Sequence, residues 1–492
     1  MLNNKNFVLS DFVIELPTNK KIILKKINKN QNGIVFVTYK NKLLGSITDG
    51  DIRRHIIKNE NFNLVSKKSS LINLSVKFVK NDYNRNKILN IFFDSRPEIK
   101  CLPVINSKNE IVQILNRNKI FPIPLLEPSI EKEEYNNILN CLRSGWISSA
   151  GYYVKKFEDD FKNFINGGHC ISSCNGTTAI TLALLSFNIG RGDEVIVPNF
   201  TFAATINAVI SAGAKPVIAD VDQNTWLIDE NKIEKLITKK TKAIIVVHIY
   251  GIVFKFNNLK KLLKKYKKKI FIIEDTAEGL GSKFNGKQIG LSGDCSTFSF
   301  YANKNITTGE GGMSVFKLKK YYKKAIMIRN QGRNINDRYF WHSIAGVNFR
   351  MTNLQASIGC AQIKKIKKFQ KLRKKIFKYY DKTFKLDNNI NIIPKPKFTE
   401  NSYWLYTILI KNINEKKRNK LIKLLRNDGV ETRPGFYPLN IMPDFKKFAK
   451  GSYPGSNYIS YRTISLPSSI NIKKDEIKTI VNIFYKNLKK IN

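Results

Sequence analysis

The chain has 492 residues, of which 42% are hydrophobic, and a formal net charge of +47. This length accommodates two to four domains, and the hydrophobic content excludes a disordered chain. The charge would suit a polyanion or an anionic membrane surface, but the lysines are scattered along the chain and follow helical spacing in stretches such as 258–269. We therefore attribute them to solvated helix faces and expect neither a nucleic-acid nor a membrane partner.

The cysteines and the apolar runs indicate the cellular location of the protein. The six cysteines show no short paired spacing. The His-Cys-x-x-x-Cys segment at 169–174 lacks a second pair of ligands, so no metal site is predicted. No apolar run approaches the roughly 20 residues of a membrane helix, and the N-terminus has no signal-peptide pattern. These features together predict reduced thiols and a cytoplasmic location.

Residues 1–121 are predicted to form a separate α+β module. Gly33–Tyr39 is predicted as a strand, Asn41–Thr48 as a turn and a second strand, and a helix is expected from Asp51. A weaker copy of the strand, turn and strand follows at residues 99–116. The repetition indicates an internal duplication.

The segment Gly-Ser-Ile-Thr-Asp-Gly-Asp-Ile-Arg-Arg at 45–54 is typical of CBS domains, and the module resembles a tandem CBS pair. The resemblance implies a regulatory module in which Thr48 and Asp51 hold the ribose and phosphate of an adenine nucleotide. Both residue types are also good helix N-caps, so helix capping is the alternative. The second copy lacks the motif, because Gln-Ile-Leu-Asn-Arg-Asn stands in its place from Gln113.

Residues 122–130 are rich in proline and are predicted as a linker. From 131 to 376, apolar strands alternate with helices, which indicates an α/β large domain with a mostly parallel sheet. The predicted helices cover 177–185, 203–212, 231–238 and 258–269, and the predicted strands cover 194–198, 216–221, 242–248 and 270–275. Residues 377–492, with a strand at 403–410 and a helix at 418–428, are predicted to form a smaller α+β subdomain.

Two residues indicate the chemistry. An apolar stretch delivers Lys304 to a polar, glycine-rich turn, and another apolar strand ends on Asp275. Pyridoxal phosphate (PLP) chemistry needs an amine that forms a Schiff base with the cofactor and a carboxylate that keeps the pyridine nitrogen protonated. Residues 172–180 open a helix with small hydroxyl-bearing side chains, where free N–H groups and the helix dipole favour a phosphate. The sequence therefore predicts a PLP site.

Several motifs occur in the order typical of one family. They are Ser-Gly-Trp-Ile-Ser (144–148), Cys-Asn-Gly-Thr-Thr-Ala (174–179), Gly-Asp-Glu-Val-Ile-Val-Pro (192–198), Thr-Phe-Ala-Ala-Thr (201–205), Val-His-Ile-Tyr-Gly (247–251), Glu-Asp-Thr-Ala-Glu (274–278) and Asn-Phe-Arg-Met-Thr-Asn-Leu-Gln-Ala (348–356). Residues 126–492 therefore resemble the DegT/DnrJ/EryC1/StrS family of sugar aminotransferases. The resemblance implies a fold-type-I PLP aminotransferase.

The same resemblance implies roles for four residues around the cofactor ring. Lys304 would carry the cofactor and shuttle a proton, and Asp275 would pair with the pyridinium nitrogen. Phe202 would stack on the ring, and Glu278 would lie near its 3-hydroxyl group. Relatives in which histidine replaces the lysine are dehydratases, so Lys304 favours transamination.

The phosphate end of the cofactor is expected to have its own ligands. By the same resemblance, Gly176, Thr177 and Ser299 would hold the phosphate. Asn348 would reach the phosphate of the neighbouring subunit's cofactor, which implies a homodimer with shared active sites. Core packing for Phe202 and helix capping for Asn348 are the alternatives.

Segments 338–342, 402–405 and 430–443 resemble the branch of the family that aminates C4 of GDP-4-keto-6-deoxymannose, giving GDP-perosamine for surface polysaccharides. Glutamate would be the amino donor. The candidate contacts with the nucleotide sugar are Arg433, Tyr437 and His342, of which arginine suits a diphosphate. Gly435 departs from the larger aromatic residue common in this branch, so a UDP-linked keto-sugar stays an alternative.

A hypothesis from another class is a non-catalytic nucleotide sensor, in which the CBS pair alone is functional. Loss of Lys304 or Asp275 would mark such a protein, and both residues are intact. The sequence therefore favours an enzyme.

Overall fold

The computed structural model describes residues 9–58, 64–81, 101–116, 123–334 and 340–491. The chain divides into two compact units, Met1–Ile123 and Pro124–Asn492. Within the described residues, no helix combines the length and the apolar character needed to cross a bilayer.

The N-terminal unit contains two α-helices and eight strands in its described part. They are β1 (Val13–Glu15), β2 (Thr18–Asn19), α1 (Lys20–Asn30), β3 (Ile34–Tyr39), β4 (Lys42–Thr48), α2 (Asp49–Ile57), β5 (Leu64–Val65), β6 (Val79–Lys80), β7 (Cys101–Ile105) and β8 (Ile111–Asn116). The strands predicted at 33–39 and 41–48 correspond to β3 and β4. The helix begins two residues earlier than expected, because Thr48 caps it.

Two sheets of this unit share one topology. In the first, β1 pairs parallel to β3 and β3 pairs antiparallel to β4. In the second, β6 pairs parallel to β7 and β7 pairs antiparallel to β8. Each antiparallel pair has a register shift in its first strand, after Val37 and after Val104. The predicted strand–turn–strand duplication is therefore present.

The second unit carries the larger set of elements. Its helices are α3 (Lys132–Ser144), α4 (Tyr152–Ile165), α5 (Gly176–Ser186), α6 (Ala204–Ser211), α7 (Glu230–Leu236), α8 (Asn257–Leu263), α9 (Lys319–Arg329), α10 (Asn353–Phe384), α11 (Glu415–Asn427), α12 (Pro454–Arg462) and α13 (Lys474–Leu488). Its strands are β9 (His169–Ser173), β10 (Glu194–Pro198), β11 (Lys215–Ala219), β12 (Thr241–Val247), β13 (Phe271–Asp275), β14 (Lys283–Phe284), β15 (Lys287–Gln288), β16 (Cys295–Ser299), β17 (Gly312–Phe316), β18 (Ile390–Ile392), β19 (Thr399–Glu400), β20 (Tyr406–Ile410), β21 (Arg433–Pro434) and β22 (Thr463–Leu466).

A seven-stranded sheet positions the site. Its order is β11-β10-β12-β13-β16-β17-β9, and β17 alone runs antiparallel to its neighbours. Neighbouring residues alternate between two hydrophobic clusters: Ile171 and Phe316 belong to one, and Cys170 and Val315 to the other. Because adjacent strand residues face opposite sides, both faces of the sheet are covered. The mostly parallel, doubly covered sheet expected from the sequence is confirmed.

The C-terminal part forms a second, antiparallel sheet in the order β18-β20-β22-β21. The 32-residue helix α10 precedes it and runs through residue 376, where the sequence suggested a domain boundary, to Phe384. The predicted helix at 258–269 is wrong in its second half, because α8 ends at Leu263. Leu259 is its one buried residue, and the lysines at 267–269 add nothing apolar to bury.

Candidate active site

Lys304 lies in the turn that follows β16, where its backbone N–H donates to the Tyr301 carbonyl (2.9 Å). Its Nζ lies 3.8 Å from Glu278 Oε1 and 3.9 Å from the ring centroid of Trp404. The side chain is 13% exposed. Burial lowers the pKa of Lys304, and the nearby carboxylates Glu278 and Asp275 oppose that effect. This amine therefore loses its proton more readily than a surface lysine.

Asp275 ends β13 and is buried. The Thr205 hydroxyl donates to its Oδ2 (2.8 Å), and the Ala277 N–H donates to its Oδ1 (3.2 Å). Since the Thr205 hydrogen is committed to Asp275, the contact between Thr201 and Thr205 (3.1 Å) has Thr201 as donor. Burial raises the pKa of Asp275, and the two hydrogen bonds oppose this rise. A cation on this carboxylate would complete its neutralisation.

Glu278 follows Asp275 by three residues and is also buried. Its Oε2 accepts the backbone N–H of Tyr250 (2.6 Å), and Ser402 Oγ donates to its carbonyl (2.5 Å). Burial raises the pKa of Glu278 to about 7. The carboxylate can therefore exchange a proton near neutral pH beside the Lys304 amine.

A buried histidine–carboxylate pair lies behind the strand end that carries Asp275. The Phe254 N–H donates to His248 Nδ1 (3.2 Å), so the proton of the neutral ring is assigned to Nε2, which lies 3.3 Å from Glu274 Oε2. The backbone N–H of His248 donates to the backbone carbonyl of Asp275 (3.0 Å). Neither His248 nor Glu274 is accessible to solvent. This pair fixes the backbone at the ends of β12 and β13.

The start of α5 forms a cradle with the end of β16. Asn175 caps the helix by accepting the Thr178 N–H (2.9 Å), and the first N–H groups of the helix, at Gly176 and Thr177, have no partner within it. A Cβ added at Gly176 would lie 2.8 Å from Ser299 Cβ, so only glycine allows this approach. The structure thus brings together the three residues expected to hold a phosphate.

The site fits PLP. The cradle at α5 suits a phosphate, Asp275 suits a ring nitrogen cation, and Lys304 supplies the amine. Phe202 lies two residues before the start of α6, the helix whose Thr205 contacts Asp275. Phe202 is 60% exposed. An exposed aromatic ring next to this site is available for stacking, so core packing does not account for Phe202.

The other predicted residues lie outside this cluster. Asn348 is exposed and accepts a hydrogen bond from Arg350 Nε (3.0 Å). His342 is exposed, with its Nδ1 2.8 Å from the Gln331 carbonyl. Residues 338 and 339 of the same segment lie outside the described residues. The alternative of helix capping for Asn348 is wrong, because α10 is capped by Thr352.

The segment at 433–437 contacts the site through an aromatic ring. Phe436 stacks on Tyr250 (centroids 5.4 Å apart, planes at 17°), whose N–H binds Glu278. Arg433 is exposed and lies 3.6 Å from Glu431, and Tyr437 accepts from Arg418 Nη2 (3.4 Å).

Gly435 has no room for a side chain. A Cβ at this position would lie 1.8 Å from Thr463 Oγ1. The departure at Gly435 noted in the sequence is therefore explained by close backbone packing on β22.

Trp404 was not among the predicted site residues, although segment 402–405, which contains it, was singled out in the sequence. The indole Nε1–H donates to the Asn303 carbonyl (2.6 Å), directly before Lys304. The buried Arg373 was missed as well; it donates to Asn305 Oδ1 (2.5 Å) and to the Lys304 carbonyl (3.5 Å). Burial lowers the pKa of Arg373 to about 10. The available signal for Arg373 was its helical spacing from Phe369, Ile376 and Phe377, which places an arginine on the apolar face of α10.

A lysine and a carboxylate at the carboxyl ends of a mostly parallel sheet, beside a glycine-opened helix, define a PLP-dependent enzyme. The sequence profile of the DegT/DnrJ/EryC1/StrS aminotransferase family matches residues 128–485. The chain belongs to this family and is a PLP-dependent aminotransferase.

Individual relatives agree with the family match. GDP-perosamine synthase of Vibrio cholerae is 38% identical over 361 residues, covering 73% of this chain and 97% of that protein. GDP-perosamine synthase of Escherichia coli O157:H7 is 39% identical over 367 residues, covering 74% and 98%. The PLP form of the putative sugar aminotransferase Spr1654 from Streptococcus pneumoniae superposes with a TM-score of 0.71 at 28% identity, covering 75% and 99%.

Proposed function

We propose that this enzyme transfers an amino group from glutamate to C4 of GDP-4-keto-6-deoxymannose, forming GDP-perosamine for surface polysaccharide synthesis. The observation that carries the proposal is the buried amine of Lys304 beside Glu278 and Asp275, a catalytic set that an aminotransferase needs. The choice of sugar is supported by the three relatives named GDP-perosamine synthase, which are 36–39% identical over nearly their whole length.

Different residues of this chain would hold different parts of the cofactor. PLP, when bound, supplies an electron sink for the carbon that carries the amino group. Asp275, fixed by Thr205, would hold the pyridine nitrogen, and the start of α5 with Ser299 would hold the phosphate. Phe202 would cover one face of the ring. The binding energy of the phosphate end then orients the cofactor against Lys304.

Lys304 moves the proton. Its lowered pKa makes the neutral amine accessible, so the amine could take a proton from the α-carbon of glutamate and pass it to the cofactor. In the second half-reaction the same amine would move a proton from the cofactor to C4 of the sugar. Glu278, with a pKa of about 7, would accept or supply the compensating proton at 3.8 Å. Burial of both groups keeps competing water away from this exchange.

We also propose a homodimer. Helix α3 carries exposed Tyr135, Leu139 and Leu142 at helical spacing, followed by exposed Trp146 and Ile147. A contiguous apolar surface of this kind is typical of a subunit interface. In this assembly Asn348 would reach the phosphate of the neighbouring subunit's cofactor.

Subunit mixing tests the shared site. Lys304→Ala and Asn348→Ala each remove one contribution to a shared site, so a dimer with one subunit of each kind keeps one intact site of two. A fully exchanged equimolar mixture, in which about half of the dimers are mixed, should therefore regain roughly a quarter of the parental turnover. Turnover that does not recover in dimers proven to be mixed would refute the shared site.

A substrate screen tests the choice of sugar. Full-length protein, glutamate and PLP would be incubated with GDP- and UDP-linked 4-keto-6-deoxyhexoses, and the aminosugars identified by mass spectrometry. We expect amination of the GDP-linked mannose derivative. Preference for a UDP-linked sugar would replace the specificity, and amination of none would refute the function.

We propose that the N-terminal unit is a tandem CBS module that binds an adenine nucleotide and regulates the enzyme. Support comes from the duplicated sheet topology and from a cavity of about 560 Å³ in that unit. Residues with polar side chains that line it include Ser46, Thr48, Asp51, Arg54 and Lys77. The capping box of Thr48 and Asp51 is compatible with both roles, because both residues line the cavity. A purely sensory protein is not favoured, because Lys304 and Asp275 are intact.

Calorimetry with AMP and ATP tests this module. Lys77→Ala should weaken nucleotide binding by about tenfold, whereas Lys80→Ala, outside the cavity lining, should not. Equal affinities of the two variants, or no binding to the full chain, would contradict the proposal.

A further inference from the structure

We propose that Trp404 and Glu278 form a docking site for the ammonium group of Lys304, which holds this side chain whenever it is not attached to the cofactor. The inference rests on the proposed role of Lys304 as the cofactor-carrying residue. It assigns a catalytic contact to Trp404, a residue of the C-terminal part of the chain.

The geometry is that of a cation over an aromatic face. Lys304 Nζ lies 3.9 Å from the ring centroid of Trp404, well inside the roughly 6 Å within which such contacts are attractive. Tryptophan is the strongest partner of this kind, and the attraction grows when both groups are desolvated. Trp404 is 4% exposed and the Lys304 side chain 13%, so water competes little.

The indole of Trp404 is held in place by the turn that carries Lys304. Its Nε1–H donates to the carbonyl of Asn303 (2.6 Å), the residue before Lys304. Tyr250 stacks against it with centroids 6.1 Å apart and planes at 21°. The ring position is therefore tied to the lysine backbone and supported by a second aromatic residue.

The segments that contain Tyr250 and Trp404 also hold Glu278, the carboxylate of the docking site. The Tyr250 N–H donates to Glu278 Oε2 (2.6 Å), and Ser402, two residues before Trp404, donates to the Glu278 carbonyl (2.5 Å). The other oxygen, Oε1, faces Lys304 at 3.8 Å. That distance exceeds a strong charge-assisted hydrogen bond of about 2.7–2.9 Å, so the amine is attracted without being locked.

Such a site meets a need of the reaction. An ammonium released into a buried pocket needs compensating groups, because an unpaired buried charge is costly. The charged groups around Lys304 are the carboxylates of Glu278 and Asp275 and the guanidinium of Arg373, which contacts the Lys304 carbonyl. An aromatic face adds stabilisation without adding a third carboxylate, so the proton stays available for transfer.

The test uses the cofactor-free, full-length protein. The rate at which PLP attaches is followed by absorbance across pH, because only the neutral amine reacts, and the midpoint reports the pKa of free Lys304. A stabilised ammonium has a higher pKa, so Trp404→Leu should move the midpoint to lower pH by about one unit, roughly tenfold in the protonation equilibrium. Trp404→Phe should move it less, and Tyr458→Leu, which removes the ring of a separate cation–aromatic pair with Arg462 (4.5 Å), should leave it unchanged.

A second readout is available in the parent protein, with Trp404 intact. Tryptophan fluorescence of the cofactor-free parent should change through the same midpoint, and this transition should be absent in Lys304→Ala and in Trp404→Phe. An unshifted midpoint in folded Trp404→Leu, or a transition that persists in Lys304→Ala, would overturn the docking site. A failure of the proposed function differs from both, because PLP would then not attach to Lys304 in the parent.

Discussion

The Lys304 site and the N-terminal cavity both place a carboxylate beside the end of a strand, yet the two carboxylates are used differently. Asp51 accepts the N–H and the hydroxyl of Thr48 (2.8 and 2.7 Å) and pairs with Arg54 (2.6 Å), all within one helix start. Asp275 accepts from Thr205, which lies 70 residues away, and is buried. The carboxylate of Asp51 is therefore used within its own helix start, whereas that of Asp275 is also held by a residue of another helix and, in the proposed mechanism, would bind a cation of the cofactor.

The largest expected effect comes from Asp275→Asn. The amide keeps the shape but removes the charge that balances a pyridinium, so turnover should fall by a factor of about 10² to 10³ or more. Steady-state amino transfer measures this loss, with Asp475→Asn on the surface of α13 as the matched control. Loss of less than tenfold would show that the charge of Asp275 is not required for turnover.

Glu278→Gln should alter the pH dependence of both rate and stability. The raised pKa of Glu278, about 7, means that the folded state holds this proton more tightly than the unfolded chain, so the group destabilises the fold as pH rises from about 4.5 through 7. The glutamine variant should therefore unfold at higher denaturant concentration at pH 8 and gain less at pH 5. Its rate profile should lose the inflection near pH 7; an unchanged profile would remove Glu278 from proton exchange.

Thr205→Val should cause a smaller loss. It removes the 2.8 Å hydrogen bond to Asp275, so turnover should drop about tenfold, corresponding to one hydrogen bond to a charged group. Thr201→Val touches Asp275 only through Thr205 and should cost less. Equal effects in steady-state assays would show that the valines act by packing alone.

The smallest effect on catalysis is expected from Thr48→Ala. Loss of the capping box should lower the unfolding free energy of the N-terminal unit by about 1 kcal/mol, and turnover without nucleotide should not change. Thermal unfolding and turnover of the full chain measure both quantities. A large loss of basal turnover would contradict the difference drawn between the two carboxylates.

The parts of the fold that follow from local pattern were predictable. The strand at 194–198 was predicted at its observed bounds, and those of β11, β12 and β13 to within two residues, because apolar runs flanked by turns leave little choice. The end of α8 was not predictable from helical spacing, since burial of Leu259 alone decides it.

The residues of the site also differ in whether local sequence pattern predicts them. Lys304 and Asp275 could be proposed from the sequence because each follows or ends an apolar strand within a recognisable motif. Trp404 and Arg373 contact the lysine turn across 100 and 69 residues of sequence, so local pattern could not predict these contacts. His248 was inside a noted motif, but its bond to Glu274 depends on the register of β12 with β13.

The most direct test of the account is to locate the cofactor. The full-length protein would be loaded with PLP, reduced with borohydride, digested and mapped by mass spectrometry. We expect one stoichiometric pyridoxyl adduct, on the peptide that contains Lys304. An adduct spread over surface lysines, or none on Lys304, would contradict it.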